Sequence, residues 1–168
     1  MQTSLSEKQF DIIVVGGGMS GTIAALCYAQ LGLSIAIVET APIEENNTSN
    51  FDQRAIALSA SSVAILKTLG LWAKIKPTAC PIKQIHVSDK GHYGFTRLYA
   101  KDYNINALGQ VIQLESIKPI LWEQLSQEPS ITSYCPAKVI KCEHLSKACR
   151  LTIEFKHTES QHTESKHK

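Results

Sequence analysis

Four residues have types and spacings that could hold a phosphate and a sugar: Gly16, Gly18, Gly21 and Glu39. The glycines stand as Gly16-x-Gly18-x-x-Gly21, with Met19 and Ser20 between the last two. Gly16 allows a tight turn. At Gly18 the missing Cβ lets a pyrophosphate approach the backbone, and at Gly21 it lets a helix pack closely on a sheet. Backbone N–H groups at the start of that helix, at the positive end of its dipole, would face the phosphates. Glu39 lies 18 residues beyond Gly21, where a carboxylate can accept hydrogen bonds from ribose 2′- and 3′-hydroxyls. A carboxylate there disfavours a 2′-phosphate, so NADP is not the expected occupant. The fingerprint alone does not separate FAD from NAD.

The elements that must position these groups are legible around them. Ile12 to Val15 is a short, β-branched, uncharged run, as expected of a strand buried on both faces of a parallel sheet. Thr22 to Leu31 has good helix formers and no proline, with Gly32 where a C-terminal cap should fall. Ser34 to Val38 is the second strand. Strand, glycine turn, helix, strand and acidic residue in this order make a βαβ unit over residues 11–39. A glycine-rich turn in some other α/β fold would lack that order.

Bulk properties exclude several classes. The chain has 168 residues, enough for one domain with a sizeable core. Its 43% hydrophobic and 19% charged residues are ordinary for a soluble globular protein. With a net charge of +2 and no basic cluster, nucleic acid is not an expected partner. Met1 to Gln9 is polar and has no signal-peptide apolar core, and no stretch reaches the length of a membrane span. The expectation is a cytoplasmic chain, with peripheral membrane contact left open. Five cysteines, an odd number without a Cys-x-x-Cys pair, read as free thiols and not as a metal site.

Beyond Glu39, Ala41 to Asn50 is a polar loop expected near the adenosine end of a bound dinucleotide. Arg54 stands just before a helix expected to start at Ser59 or Ser61, run to Leu69 and end at Gly70. Its fork of donors suits a phosphate oxygen or ribose, and equally suits a solvated surface. Ile85 to Leu98 alternates apolar and polar residues across Asp89-Lys90-Gly91 and predicts a hairpin that begins a second layer. His86 and His92 lack partners at metal-ligand spacing and read as exposed. Gln110 follows a glycine and reads either as a cofactor donor or simply as a loop residue, ahead of a helix capped by Ser116 and running to Gln127. Pro119 then falls in the first turn, with Trp122 and Leu125 on the core side. Ile131 to Cys135 is another short strand, and 137–143 with 149–156 form a second hairpin. Residues 157–168 repeat His-Thr-Glu-Ser, carry three of the six histidines (His157, His162, His167) and have no apolar residue. The expected organisation is one domain over 10–156 and a disordered tail over 157–168.

Several segments together carry a resemblance: Ile12 to Gly21, Phe51 to Leu58, Leu69 to Trp72, Ile85 to Phe95 and Ala107 to Val111. They resemble the flavin monooxygenases of ubiquinone biosynthesis, and the Ile85–Phe95 hairpin narrows this to the 2-octaprenyl-6-methoxyphenol hydroxylase branch. The resemblance implies an α/β fold: an incomplete Rossmann-like FAD-binding domain with a β-hairpin insertion starting a substrate-side sheet. It implies FAD as cofactor and NAD(P)H as reductant. Gly16, Gly18, Met19, Ser20 and Gly21 would hold the pyrophosphate, Glu39 the ribose and Arg54 a phosphate. Gln110 would contact the flavin, and the Val139 backbone would face the adenine. The implied reaction hydroxylates a polyprenyl phenol, and association with the inner membrane or a ubiquinone-synthesis complex stays open. Family members are longer and carry later Asp-Gly and Gly-Asp motifs. Neither dipeptide occurs here. The chain therefore reads as an N-terminal part of such an enzyme, with no residue assignable as acid, base or nucleophile. The isolated chain is expected to bind FAD weakly or not at all and to lack hydroxylase activity. The alternatives are an inactive fragment that at most binds a dinucleotide, and an NAD-binding module of another oxidoreductase. Arg54 and the hairpin disfavour the latter.

Overall fold

The structure is a computed structural model that describes residues 7–42 and 54–155. In chain order its strands and helices are β1 (Ile12–Val15), α1 (Met19–Ala29), β2 (Ile35–Val38), β3 (Ala55–Ser59), α2 (Ala60–Thr68), α3 (Trp72–Ile75), β4 (Cys80–Ile82), β5 (Gln84–Ser88), β6 (Phe95–Tyr99), β7 (Gly109–Gln113), α4 (Leu114–Ser126), β8 (Ile131–Tyr134), β9 (Ala137–His144) and β10 (Cys149–Phe155). Short 3-10 turns occupy Lys76–Thr78 and Ala100–Tyr103. The expected polar loop falls mostly, and the 157–168 tail wholly, outside the described residues.

The βαβ unit forms as its sequence dictates. β1 and β2 pair in parallel, Ile12 with Ile35 through to Val15 with Val38, and β8 adds in parallel to the other side of β2. The sheet order β1-β2-β8 makes β2 the middle strand, and all four of its residues are buried. β1 departs from expectation. It is only half-buried, and Val15 is 61% exposed. The reason is topological: no strand among the described residues pairs on the outer edge of β1. Helix α1 begins at Met19, three residues earlier than expected, and closes at Gly32, whose N–H donates to the Ala29 carbonyl at 2.9 Å with φ +78°.

A second, antiparallel sheet has the order β3-β7-β4. From it α2 departs with Ser59 as its cap: the hydroxyl accepts from the Ser62 N–H at 3.2 Å. Gly70, at φ +72°, ends α2. Its N–H donates to Lys67 O and that of Leu71 to Leu66 O, both at 2.9 Å, and Leu66 and Leu71 pack together in the core. Helix α4 follows β7 without a loop, which moves its start to Leu114. Ser116 therefore lies inside the first turn instead of capping it, its hydroxyl donating to the Gln113 carbonyl at 2.8 Å. Pro119 falls beyond the first turn, within the helix. Trp122 and Leu125 are buried as expected, with Leu121 and Ile117 beside them. The expected hairpin forms as β5 and β6, pairing Gln84 with Tyr99 through to Ser88 with Phe95 across the connection 89–94, and stands largely exposed. No helix among the described residues is long and apolar enough to cross a membrane.

A clasp joins the starts of β1 and β2. Asp11 Oδ2 accepts from the Ser34 N–H (2.8 Å) and hydroxyl (2.6 Å), while Asp11 N–H donates back to the Ser34 hydroxyl at 3.0 Å. The Ser34 hydroxyl and then its backbone N–H hold the Asp11 carboxyl below its usual value. A depressed folded-state pKa stabilises above the unfolded carboxylate value and loses that contribution as pH falls through the folded one. Asp11→Asn should therefore lower the melting temperature at neutral pH, by a deficit that shrinks as pH falls through the folded-state value. A deficit that does not change with pH would remove the charge linkage.

Candidate functional site

At the end of β1 the Gly16 N–H donates to the Val38 carbonyl at 2.8 Å, extending the parallel ladder by one residue. The chain then turns through φ +103° at Gly16, a conformation that favours glycine. Gly17 is buried beneath the Trp122 ring of α4, and a Cβ there would overlap that ring. Gly18 is extended (φ −69°, ψ −179°) and exposed, and a Cβ on it would meet nothing within 4 Å. At Gly21 a Cβ would overlap the Gly16 carbonyl oxygen and press on Val14. The three glycines thus do three jobs: turn, open approach and close packing.

The fully buried Thr22 holds this loop from within. Its hydroxyl lies 3.0 Å from the Gly17 carbonyl and 2.8 Å from that of Gly18, and its N–H donates to Gly18 O at 2.9 Å. With those carbonyls turned inward, the first turn of α1 presents Met19, Ser20 and Gly21. Their N–H groups have no partner within the helix by its geometry. No side chain caps this end, and no acidic residue stands in its first turn. The helix thus supplies no anionic group of its own to the open space at Gly18, an arrangement that accepts an anion.

Glu39, directly after β2, faces the same loop. Its carboxylate accepts from the Gly17 N–H at 2.5 Å and the Ala41 N–H at 2.7 Å. Its backbone ties in a further strand end. Glu39 N–H donates to Tyr134 O at 2.9 Å, and Glu39 O accepts from the Ala137 N–H at 2.7 Å. Val139 lies two residues further along β9, paired with Ile153 beside a bulge. So Gly16, Gly18, Met19, Ser20, Gly21 and Glu39 come together, with Val139 adjacent through Ala137.

Two candidates sit elsewhere. Arg54 precedes strand β3, not a helix, and its carbonyl accepts from the Leu114 N–H at 3.1 Å. Gln110 lies within β7, opposite Leu58 and Pro81, and not in a loop. Both expectations missed that the Arg54–Leu58 and Gly109–Gln113 segments pair with each other, a long-range contact that local patterning does not encode. Helix α4 links this sheet to the glycine loop, running from Leu114 beside Arg54 to Trp122 on Gly17, about 12 Å along its axis.

Residues 9–164 match the family model described as FAD binding domain. The chain belongs to this FAD-binding family. An uncharacterised protein from Synechocystis is 34% identical over 137 residues, covering 82% of this chain and 32% of that protein. The Escherichia coli 3-demethoxyubiquinol 3-hydroxylase is 30% identical over 140 residues, covering 81% and 35%. The chain thus spans about a third of the length of these relatives. Among solved structures, p-nitrophenol 4-monooxygenase PnpA from Pseudomonas putida superposes with a TM-score of 0.65 at 18% identity, covering 84% of this chain and 35% of that one. This last likeness is one of fold.

The FAD-binding domain fits its cofactor on its own geometry: an open cradle at Gly18, an uncapped helix start and a carboxylate across from it. Thr22, Gly17 and Trp122 support the cradle and were not singled out from sequence for that role. A Thr directly after the third glycine was the available signal for Thr22. Helical spacing marked Trp122 as a core residue, but its contact with Gly17 arises only in the tertiary structure. Among the described residues, no group of three or more His, Cys, Asp or Glu side chains could hold a metal ion.

Glu39 has a load-sharing role that its expected one did not include. Glutamine at this position keeps one acceptor and turns an amide N–H₂ toward a backbone donor. Glu39→Gln should cost about 1–3 kcal/mol, the penalty for an orphaned donor, read as a lowered denaturation midpoint without any ligand. An unchanged midpoint would show that the two amides find other acceptors.

Proposed function

We propose that this chain is the FAD-binding part of an aromatic-ring monooxygenase that hydroxylates a polyprenyl phenol in ubiquinone biosynthesis. The observation that carries the cofactor assignment is the uncapped start of α1 beside the open face of Gly18, with Glu39 across the loop. In this proposal the amides of Met19, Ser20 and Gly21 hold the pyrophosphate. The Glu39 carboxylate, which retains lone pairs beyond the two amides it serves, accepts from the adenosine ribose. The Val139 backbone lines the adenine side, Arg54 reaches a phosphate oxygen, and Gln110 stands toward the flavin. Bound FAD, reduced by NAD(P)H, would supply the oxygen-activating chemistry. The chain's own residues anchor and orient it. The ubiquinone assignment is supported by family membership and by the E. coli relative, whose name specifies demethoxyubiquinol as its substrate.

Nearly all these contacts lie on the ADP half of the cofactor, which sets the experiment. Binding by the isolated chain is expected to be weak at most, so equilibrium dialysis of the 168-residue chain is run at high ligand concentration, where ADP should displace whatever FAD is bound and FMN should not. FMN competing as well as ADP would overturn the placement of the pyrophosphate at α1.

A further inference from the structure

Cys142 of β9 and Cys149 of β10 are diagonal neighbours on one face of an antiparallel hairpin. Cys142 pairs with Leu151 and Cys149 with His144, and the four-residue connection 145–148 is closed by a Leu145 N–H to Ala148 O bond of 2.8 Å. Their sulfur atoms lie 3.4 Å apart, and both side chains are exposed. Two solvent-accessible thiols already in contact across a fixed register form more than a pair of incidental cysteines. Oxidants reach them from water, and an S–S bond requires the sulfurs to close to about 2.05 Å with a Cβ–S–S–Cβ dihedral of about ±90°.

We infer that Cys142 and Cys149 form an oxidisable dithiol, whose substrate is a small hydroperoxide such as hydrogen peroxide and whose product is an intramolecular disulfide. One thiolate attacks the O–O bond, becoming a sulfenic acid and releasing one water once protonated. The second thiol attacks that sulfur, forming the S–S bond and releasing a second water. Two thiols lose two electrons and two protons, and one peroxide becomes two waters. Hydrogen bonding to Cys142 raises the Cys149 thiol above its ordinary value. The bridge staples the far end of a hairpin whose near end is bonded to Glu39 through Ala137. Oxidation would thereby stiffen the strand that carries Val139.

The remaining cysteines are internal controls: Cys80 is exposed, while Cys27 and Cys135 are partly buried. The full chain is treated with one equivalent of hydrogen peroxide, alkylated, and digested with trypsin without reduction. Cleavage after Lys141, Lys147 and Arg150 separates Cys142 from Cys149, so a disulfide appears as two linked peptides. The expected result is that linked pair in monomeric protein, in roughly ten-fold or greater excess over any disulfide that includes Cys80, because the second step is intramolecular. In Cys149→Ser, dimedone should trap a sulfenic acid at Cys142, and the linked pair should vanish. Disulfides of Cys80 as abundant as the Cys142–Cys149 pair, or disulfides only between chains, would overturn the inference.

Discussion

Gly21→Ala is expected to lower the stability of the chain by about 3 kcal/mol, at the upper end of overpacking penalties, and to do so without any ligand present. The Cβ would occupy the place of the Gly16 carbonyl oxygen, and the side chain of Val14 closes the other side. Both neighbours are held. Gly16 is bonded to Val38, and Val14 is in register with Ile37 in the sheet. Relief would require α1 to lift from β1, and α1 contributes Ala25, Leu26 and Ala29 to the core shared with Leu121 and Leu125. A domain of this size has a total stability of roughly 5–15 kcal/mol, so the variant should show a clearly lowered urea midpoint. A midpoint within experimental error of the parent would mean that the helix can retreat freely and that close packing is not what this glycine provides.

Gly18→Val should behave in the opposite way. The position is extended, open to any residue, and a Cβ there meets nothing. Valine at a helix N-cap should cost about 1 kcal/mol or less relative to glycine. Its methyl groups would project into the space from which the proposed pyrophosphate reaches the α1 amides. Losing even one charge-assisted hydrogen bond, worth about 1.5–3 kcal/mol, weakens binding ten-fold or more. The expected result is a fold intact by circular dichroism, with FAD and ADP affinity reduced at least ten-fold. Parental affinity in this variant would place the phosphates elsewhere. Together the two substitutions separate the architectural glycine from the binding one, although the sequence presents them as members of one motif.

The glycine loop, the βαβ unit, the Ser59 cap, the Gly70 stop and both hairpins were legible because each depends on residues close in sequence. A positive φ at Gly16, a hydroxyl three residues from the amide it caps, and a period-two run across a turn are all local. The misplacements share a different cause. Ser116 reads as a cap only if a loop precedes it, but β7 runs straight into α4, so Gln113 takes the cap position. Arg54 reads as preceding a helix, and Gln110 as a possible loop residue, because neither Ala55–Ser59 nor Gly109–Gln113 is distinctive alone. They become strands by pairing with each other across fifty or more residues. Strand β4 (Cys80–Ile82), which includes a proline, was not foreseen for the same reason.

The sequence by itself determined the order of elements, the position of the turn and the residue types presented to a phosphate. Glycine, Ser and Glu spacing is governed by backbone geometry and helix ends, which act over a few residues. Tertiary structure alone decided that Glu39 shares its carboxylate between two amides, that Trp122 closes over Gly17, and that β1 stands half-exposed at an edge. Each of these depends on which segments meet after the core has formed, and burial and pairing between distant segments leave no local periodicity to read.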